Sequence, residues 1–369
     1  MANLWKIGRE VKRLKQQFRG LFEVFHEPRT QARYDRNRLA HLTVTQGAVP
    51  VSDRIAILMI YQPKVLPPSV LVTCRHLAQH GYAPFVISNG ALAPADRARL
   101  GAEAWRVADR PNYGYDFGAY RDGILALKDW AVSPRSLIIL NDSIWYPLYP
   151  DDDLIERLEQ SDADIAGTIL RVRPKPRLSP GPAEVRFLES YCYRIAGHVF
   201  AGPAFDAYWR GYRMTDNKYK VIRRGERDFS RAMLTAGLRV GAVFSETALR
   251  EVLAEASAED LRKTLIYGAH ADENVAHEQM AVLADFADSA EWRALALAHI
   301  DRALARGVFN SAFCYPTIGL MHANYLKKSG ERINQLWRGA FVAAVTAGDL
   351  PAPQPLIRAE VLAAVDRAD

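Results

Sequence analysis

Four short apolar runs, each ending in polar residues, constrain this chain more than any other feature of its sequence. They are "RIAILMIY" (54–61), "APFVISNG" (83–90), "AWRVADR" (104–110) and "SLIILND" (136–142). Short continuous runs rich in Ile, Val and Leu read as strands buried on both faces. Between the first two, "PPSVLVTCRHLAQHG" (67–81) reads as a helix with proline at its start and Gly81 closing it. A second helix is predicted over roughly 117–130, and "DIAGTIL" (164–170) and "LRVGAVF" (238–244) read as further strands. Strands alternating with helices predict a mainly parallel α/β sheet covered by helices. After about residue 250 the strand signal gives way to alanine-rich helical segments. The expected organisation is a basic helix over 1–28, an α/β domain over 50–250, and a helical region over 251–369 packed on it.

The first 25 residues have a character of their own. Leu4, Ile7, Val11, Leu14, Phe18, Leu21 and Phe25 recur in steps of three and four, one stripe of a helix, with lysines and arginines on the other faces. Pro28 is the predicted stop. Such a helix suits an anionic membrane surface; docking on its own domain or a short coiled coil are the structural alternatives. No run of 18 apolar residues is present to span a bilayer, and no signal-peptide pattern opens the chain. Cys74, Cys192 and Cys314 are far apart with no metal-ligand spacing, which fits a reducing compartment. The expectation is a cytoplasmic protein, peripheral on the inner face of the membrane. A net charge of +6 fits phosphorylated substrates or anionic lipid. With no RRM, KH or helix-turn-helix signature, nucleic acid is not an expected partner.

In open parallel sheets, ligands bind outside the carboxyl ends of the strands. Here Tyr61-Gln62, Ser88-Asn89, Arg110 to Asp116, and Asn141-Asp142-Ser143 sit at four such ends. The third cluster belongs to "RPNYGYDFGAYRDG" (110–123), where Tyr113, Tyr115 and Phe117 alternate with Gly114, Asp116 and Gly118 just before a helix. The glycines suit close approach of backbone to a ligand, Asp116 suits sugar or ribose hydroxyls, and the rings suit either a pocket wall or a core anchor. Asp142 can contact a divalent cation whose remaining ligands are phosphates and water, or the turn can cap its own backbone. The literal Asp-x-Asp of "PDDDL" (150–154) reads instead as the first turn of a helix. In "VIRRGERDFSRAMLTAGLRVGAVF" (221–244), Glu226 and Asp228 open a helix, and either carboxylate suits deprotonation of an attacking hydroxyl. His270 and His277 read as surface histidines. There is no GxGxxG, GxxxxGK[ST] or GxSxG, which argues against nicotinamide, P-loop and serine-hydrolase chemistry.

"RPNYGYDFGAYRDGI" followed by "LIILNDSIWYPL" resembles the rhamnan synthesis F family of bacterial polysaccharide-assembly proteins. The shared pattern falls on Asn112, Gly114, Asp116, Gly118 and Tyr120, and then on Asn141, Asp142 and Ser143; "FVISNG" and "VIRRGERDFSRAMLTAG" are further similar blocks. The likeness covers about 54–245. It implies a GT-A-like glycosyltransferase with a Rossmann-like sheet, whose acidic strand end holds the metal and the donor diphosphate. It also implies a nucleotide-sugar donor, with dTDP-rhamnose a candidate, and a lipid-linked or growing glycan acceptor in polysaccharide or O-antigen synthesis. On this reading Glu226, then Asp228, is the base. Tyr61, Asn89, Asn112, Gly114, Asp116, Gly118, Asn141 and Ser143 bind the donor, Asp142 holds Mg²⁺ or Mn²⁺, and basic residues of "NKYKVIRR" (217–224) face the leaving diphosphate. Two departures stand out: Asn-Asp-Ser replaces Asp-x-Asp, and Ile318 stands where the family often has a histidine, with His322 four residues on. A non-catalytic glycan-assembly protein and a methyltransferase of related fold are the alternatives.

Overall fold

The computed structural model describes residues 26–174 and 184–366. The basic stripe over 1–25, and most of the Pro-rich loop that begins at Arg173, lie outside the described residues.

Residues 26–36 are helical (α1) and include Pro28; the basic helix expected before it lies outside the described residues. Tertiary contact holds α1: Glu27 accepts hydrogen bonds from Lys220 Nζ (2.9 Å) and Arg224 Nη2 (2.8 Å). A short helix α2 (Arg38–His41) and strand β1 (Thr43–Gln46) follow. Next comes the alternation expected from the sequence: β2 (Arg54–Ile60), α3 (Pro68–Gln79), β3 (Ala83–Ser88), α4 (Pro94–Glu103), β4 (Arg106–Asp109), α5 (Tyr115–Asp129) and β5 (Ser136–Asn141).

Strands β2 to β5 pair in parallel in the order β4-β3-β2-β5. The chain therefore builds outward from β2 in one direction and then returns to its other side. After β6 (Ile144–Trp145) and α6 (Leu154–Gln160), the sheet is extended by β7 (Ile165–Pro174), with β8 (Glu184–Leu188) on its flank, by β9 (Cys192–Ala196) and, after four more helices, by β10 (Val240–Phe244). β9 lies antiparallel between β5 and β7, and β1 antiparallel on β4, so the sheet is mixed but mostly parallel. The sequence signal missed β1, β8 and β9. "TVTQ" is an edge strand, and "CYRIA", central and buried at four of its five positions, is short and interrupted by Arg194.

Alternate residues of β2 feed two cores. Ile55, Ile57 and Met59 face α5 and the helices α7 (Gly197–Ala201), α8 (Pro203–Gly211), α9 (Lys218–Ile222) and α10 (Asp228–Thr235). Ala56, Leu58 and Ile60 face α3, α4, α6 and the helical C-terminal region. That region runs from α11 (Glu246–Glu255) to α16 (Arg332–Ala347) and α17 (Pro355–Val365), with strand β11 (Leu326–Lys327) pairing β6. Burial on both faces is why these strands are apolar throughout. Among the described residues, no helix is long and apolar enough to cross a membrane.

One buried ion pair ties β4 to α5. Arg110 Nε donates to Asp122 Oδ2 (2.6 Å), which also accepts from Tyr34 Oη (2.5 Å), and both charged side chains are almost wholly buried. Arg110→Met leaves a buried carboxylate without its counter-charge, which typically costs about 3–5 kcal/mol. The urea midpoint should fall accordingly, with partial recovery in the Arg110→Met/Asp122→Leu double variant. An unchanged midpoint in the single variant would overturn the assignment.

Candidate active site

The reversal of strand order falls between β2 and β5, the place where a crevice opens at the carboxyl edge of such a sheet. The structure puts Tyr61-Gln62 and Asn141-Asp142 on its two sides. Asp142 spans it: its backbone N–H donates to Met59 O (3.0 Å), and its Oδ2 accepts from Tyr61 N (3.0 Å) and Gln62 Nε2 (2.6 Å). Burial pushes the Asp142 carboxyl up, while the nearby Lys328 ammonium and these hydrogen bonds hold it down. The ring of Tyr61 is about half exposed over the opening. Asn141 Oδ1 accepts from Ser143 N (3.1 Å) and from the Ser143 hydroxyl, a self-capped turn. Its amide reaches Asp116 Oδ2 at 3.4 Å.

The 110–118 loop is built from inside by Arg110. Besides Asp122, its guanidinium donates to Asn89 Oδ1 (2.6 Å) and Tyr113 O (2.6 Å), and Asn89 Nδ2 donates to Tyr115 O (2.8 Å). Asn89 is therefore buried and bound within the fold, where it positions the loop. The glycines are likewise explained by the protein itself. A Cβ on Gly118 would lie 2.1 Å from Tyr113 O, and Gly114 takes a left-handed φ of 81°. The rings divide their roles. Phe117 is buried, stacked near Trp209 and Tyr212. Tyr113 is half-buried against Tyr34. Tyr115 is exposed, donates to Asp216 O (3.1 Å) and sits at φ 54°, an unusual conformation for a side-chain-bearing residue. Two successive left-handed residues, locked by Asn89 and Arg110, aim the first turn of α5 at the crevice; such strain concentrates at functional sites.

Asp116 in that turn meets the second acidic block. Residues Arg223–Arg227 form a π-type turn between α9 and α10, a distortion frequent at functional sites. Gly225 lets the turn lie on the Phe117 ring, since a Cβ there would be 2.4 Å from it. The neighbours Asp116 and Glu226 are thereby brought together over Ser190. Glu226 Oε1 accepts from Ser190 Oγ (2.8 Å) and Ser190 N (3.3 Å). The Ser190 side chain also lies close enough to Asp116 to lower its proton affinity, and Tyr120 Oη donates to Ser190 O (2.9 Å). Burial pushes Asp116 up to about 6. Burial also raises Glu226, and the charges of Glu189 and Asp116 raise it further against the Ser190 bonds. Two carboxyls on one serine, each made more basic, form a proton-accepting pair.

Other predicted residues lie elsewhere. Asp228 pairs with Arg231 Nη2 (2.8 Å) one turn along α10. Asn112 is exposed at the loop tip. Lys220 and Arg224 are held by Glu27, and a face of that kind is a clamp for α1 rather than a phosphate site. Asp152 of "PDDDL" is buried, accepting from Tyr146 Oη (2.6 Å) and Leu154 N (3.2 Å). Ile318 is core, and His322 is exposed. His277 is exposed, but His270 is half-buried and bonded to Gln279 Oε1 (2.8 Å). Sequence reasoning missed Ser190, Glu189, Lys327 and Lys328. Lys327 Nζ (2.8 Å) and Arg171 Nε (2.5 Å) both reach Glu189, and Lys328 Nζ reaches Ser69 Oγ (2.9 Å). Nothing local marks a lysine some 185 residues downstream of Asp142 as its neighbour. Among the described residues, no three His, Cys, Asp or Glu side chains gather as a metal site.

The model of rhamnan synthesis protein F matches residues 85–266, which include the Asp116, Asp142, Ser190 and Glu226 positions. The "Uncharacterized protein y4gN" of Sinorhizobium fredii (strain NBRC 101917 / NGR234) is 34% identical over 267 residues, 72% of this chain and 68% of that protein. The chain belongs to the rhamnan synthesis protein F family. A solved structure described as a glycosyltransferase involved in the glycosylation of the major capsid of PBCV-1 overlaps 51% of this chain and 81% of its own, at 11% identity and a TM-score of 0.27. Superposition at that level carries no weight for this chain.

Asp116 gives a pH signature. The folded chain holds its proton more tightly than the unfolded chain, so ionisation costs stability. The cost is absent below the ordinary value of 3.8 and complete above about 6. Asp116→Asn is therefore expected to raise unfolding free energy by about 1–3 kcal/mol near pH 7.5 and hardly at all near pH 4. Urea midpoints across that range check it; a difference that does not change with pH would remove the titration from Asp116.

Proposed function

We propose that the chain is a glycosyltransferase that moves a sugar from a nucleotide-sugar donor to a lipid-linked or growing polysaccharide. The observation that carries this is the convergence of Glu226 and Asp116 on Ser190 beside the crevice held by Asp142. A GT-A-like reading is supported by the strand order β4-β3-β2-β5 with antiparallel β9 beside it. An L-rhamnose donor, dTDP-rhamnose, and a role in O-antigen or related glycans fit the family and are part of the same proposal.

On this reading the nucleotide and diphosphate lie in the β2/β5 crevice, between Tyr61 and Asp142, and the sugar extends towards Asp116 and Asn141. Asp142 is a single carboxylate at a strand end. Tyr61 N and Gln62 Nε2 both bond to its Oδ2, and if Mg²⁺ or Mn²⁺ binds with the donor, Asp142 would hold it and the ion would offset the diphosphate charge. Lys328 adds a fixed positive charge on the same side. Glu226 accepts the proton of the acceptor hydroxyl as that oxygen bonds to the anomeric carbon, and the bond from that carbon to the diphosphate oxygen breaks. Inversion follows if the attack is direct. A raised carboxyl is the right base because its affinity for the proton is nearer that of the hydroxyl in flight. Asp116 accepts hydrogen bonds from sugar hydroxyls and, when charged, raises the basicity of Glu226.

Titration with a panel of nucleotide sugars, with Mn²⁺ or with EDTA, tests the reading. A donor should bind, more weakly in EDTA. Glu226→Gln should keep donor affinity and lose roughly 10²–10⁴-fold in turnover, while Asp142→Ala should weaken donor binding itself. No binding to any nucleotide sugar would sink the proposal and favour a non-catalytic role.

The same proposal places the protein at the inner membrane face through the basic stripe of residues 1–25, near a lipid-linked acceptor. Deleting 1–25 should reduce sedimentation with anionic vesicles and leave donor binding intact. Equal sedimentation of the shortened chain would count against membrane attachment there.

A further inference from the structure

A cavity lies apart from the crevice. It holds about 610 Å³ in the C-terminal region, between the Ile266–His270 segment and helices α16 and α17. Cavities of that size take small organic ligands. Its wall is mostly small and apolar, with Ala276, Ala340, Ala343 and Ala364 among the lining groups, and among the described residues no carboxylate lines it. Two arginines do, Arg332 and Arg338, on one helix.

Arg338 is the informative group. Only 3% of it is exposed. Its Nη1 donates to the backbone oxygens of Lys327 (3.0 Å) and Ser329 (2.7 Å). Its Nε is buried with no acceptor among the described residues. A buried guanidinium with neutral partners on one side and an idle N–H on the other is costly. It is the arrangement expected of a cation whose counter-ion is a ligand. The guanidinium fork matches phosphate oxygens in pairs, and Arg332 at the rim adds a second charge.

We propose that this cavity binds a phosphorylated small molecule, with the phosphate on Arg338 and Arg332 and an apolar organic part on the alanine wall. The site is distinct from the β2/β5 crevice and does not depend on the transferase reading. The two are joined by chain: the carbonyls that Arg338 holds belong to the segment carrying Lys327 to Glu189 and Lys328 to the side of Asp142.

Calorimetry of the full chain with octyl phosphate, inorganic phosphate and octyl glucoside tests this. Octyl phosphate is expected to bind at least about tenfold more tightly than inorganic phosphate, since several methylenes leave water, and the uncharged glucoside is not expected to bind. Arg338→Met should weaken octyl phosphate by about 10–100-fold. Because that change also frees two carbonyls, Gly339→Leu is the second variant. A Cβ at Gly339 meets nothing within 4 Å, and the replacement favours the helix, so it should fill space without lowering the melting temperature. Loss of octyl phosphate binding in stable Gly339→Leu supports the proposal. No binding by the native chain, equal binding of inorganic phosphate, or full binding by Gly339→Leu would overturn it.

Discussion

The arrangement at the sheet edge depends on one buried guanidinium. Arg110 leaves the end of β4, where a strand would ordinarily turn into solvent, and instead makes an ion pair with Asp122 inside the first helix after it. Its remaining N–H groups reach Asn89 at the end of β3 and the backbone of Tyr113. Three consecutive pieces of the sheet edge are thus fixed to one side chain. A buried charge of this kind contributes little net stability against an apolar substitute, but leaving any partner unpaired is expensive. The loop therefore has one low-energy course. That course forces left-handed backbone at Gly114 and Tyr115, and delivers Asp116 to the crevice.

From there the geometry propagates by packing. Phe117 enters the aromatic cluster with Trp209 and Tyr212, and its face becomes the bed for Gly225. Glu226 is next in the chain, so the position of one carboxylate relative to the other is set by a ring and a missing side chain, not by any bond between them. Ser190 then bonds Glu226 and lies beside Asp116. The rise in proton affinity follows from the same packing, because it is the aromatic bed that removes water from the two acids.

Much of the sheet was legible because its strands are buried on both faces and show continuous apolar runs. The strand ends followed, since a parallel order puts them all at one edge. What the sequence could not show is which polar residues at that edge look inward. Asn89, Gly114 and Gly118 carry the composition of a binding loop, yet each is occupied by the loop's own construction. Glu226 and Asp228 are two residues apart and looked interchangeable; the π-type turn directs one to Ser190 and leaves the other on Arg231. Short antiparallel β9 was missed for a related reason. Its Arg194 is the polar residue of a strand covered on the other face by Tyr193 and Ile195.

The C-terminal helices are more than a cover for the second face of the sheet. Glu360 of α17 accepts from Ser69 N (2.8 Å), Ser69 Oγ (2.6 Å) and Trp145 Nε1 (2.8 Å), and Ser69 also receives Lys328. The ammonium beside Asp142 is therefore positioned by a helix some 200 residues from β5, and the carbonyls on either side of it in the chain, of Lys327 and Ser329, are held by Arg338 from α16. A lysine on a free loop would follow the charge of whatever ligand arrived. Held between Glu360 and Asp142, Lys328 keeps a fixed place, and burial lowers its proton affinity while those two carboxylates raise it. Its charge thus depends on the same helices that shape the alanine-walled cavity, which makes the crevice and the C-terminal region parts of one electrostatic unit.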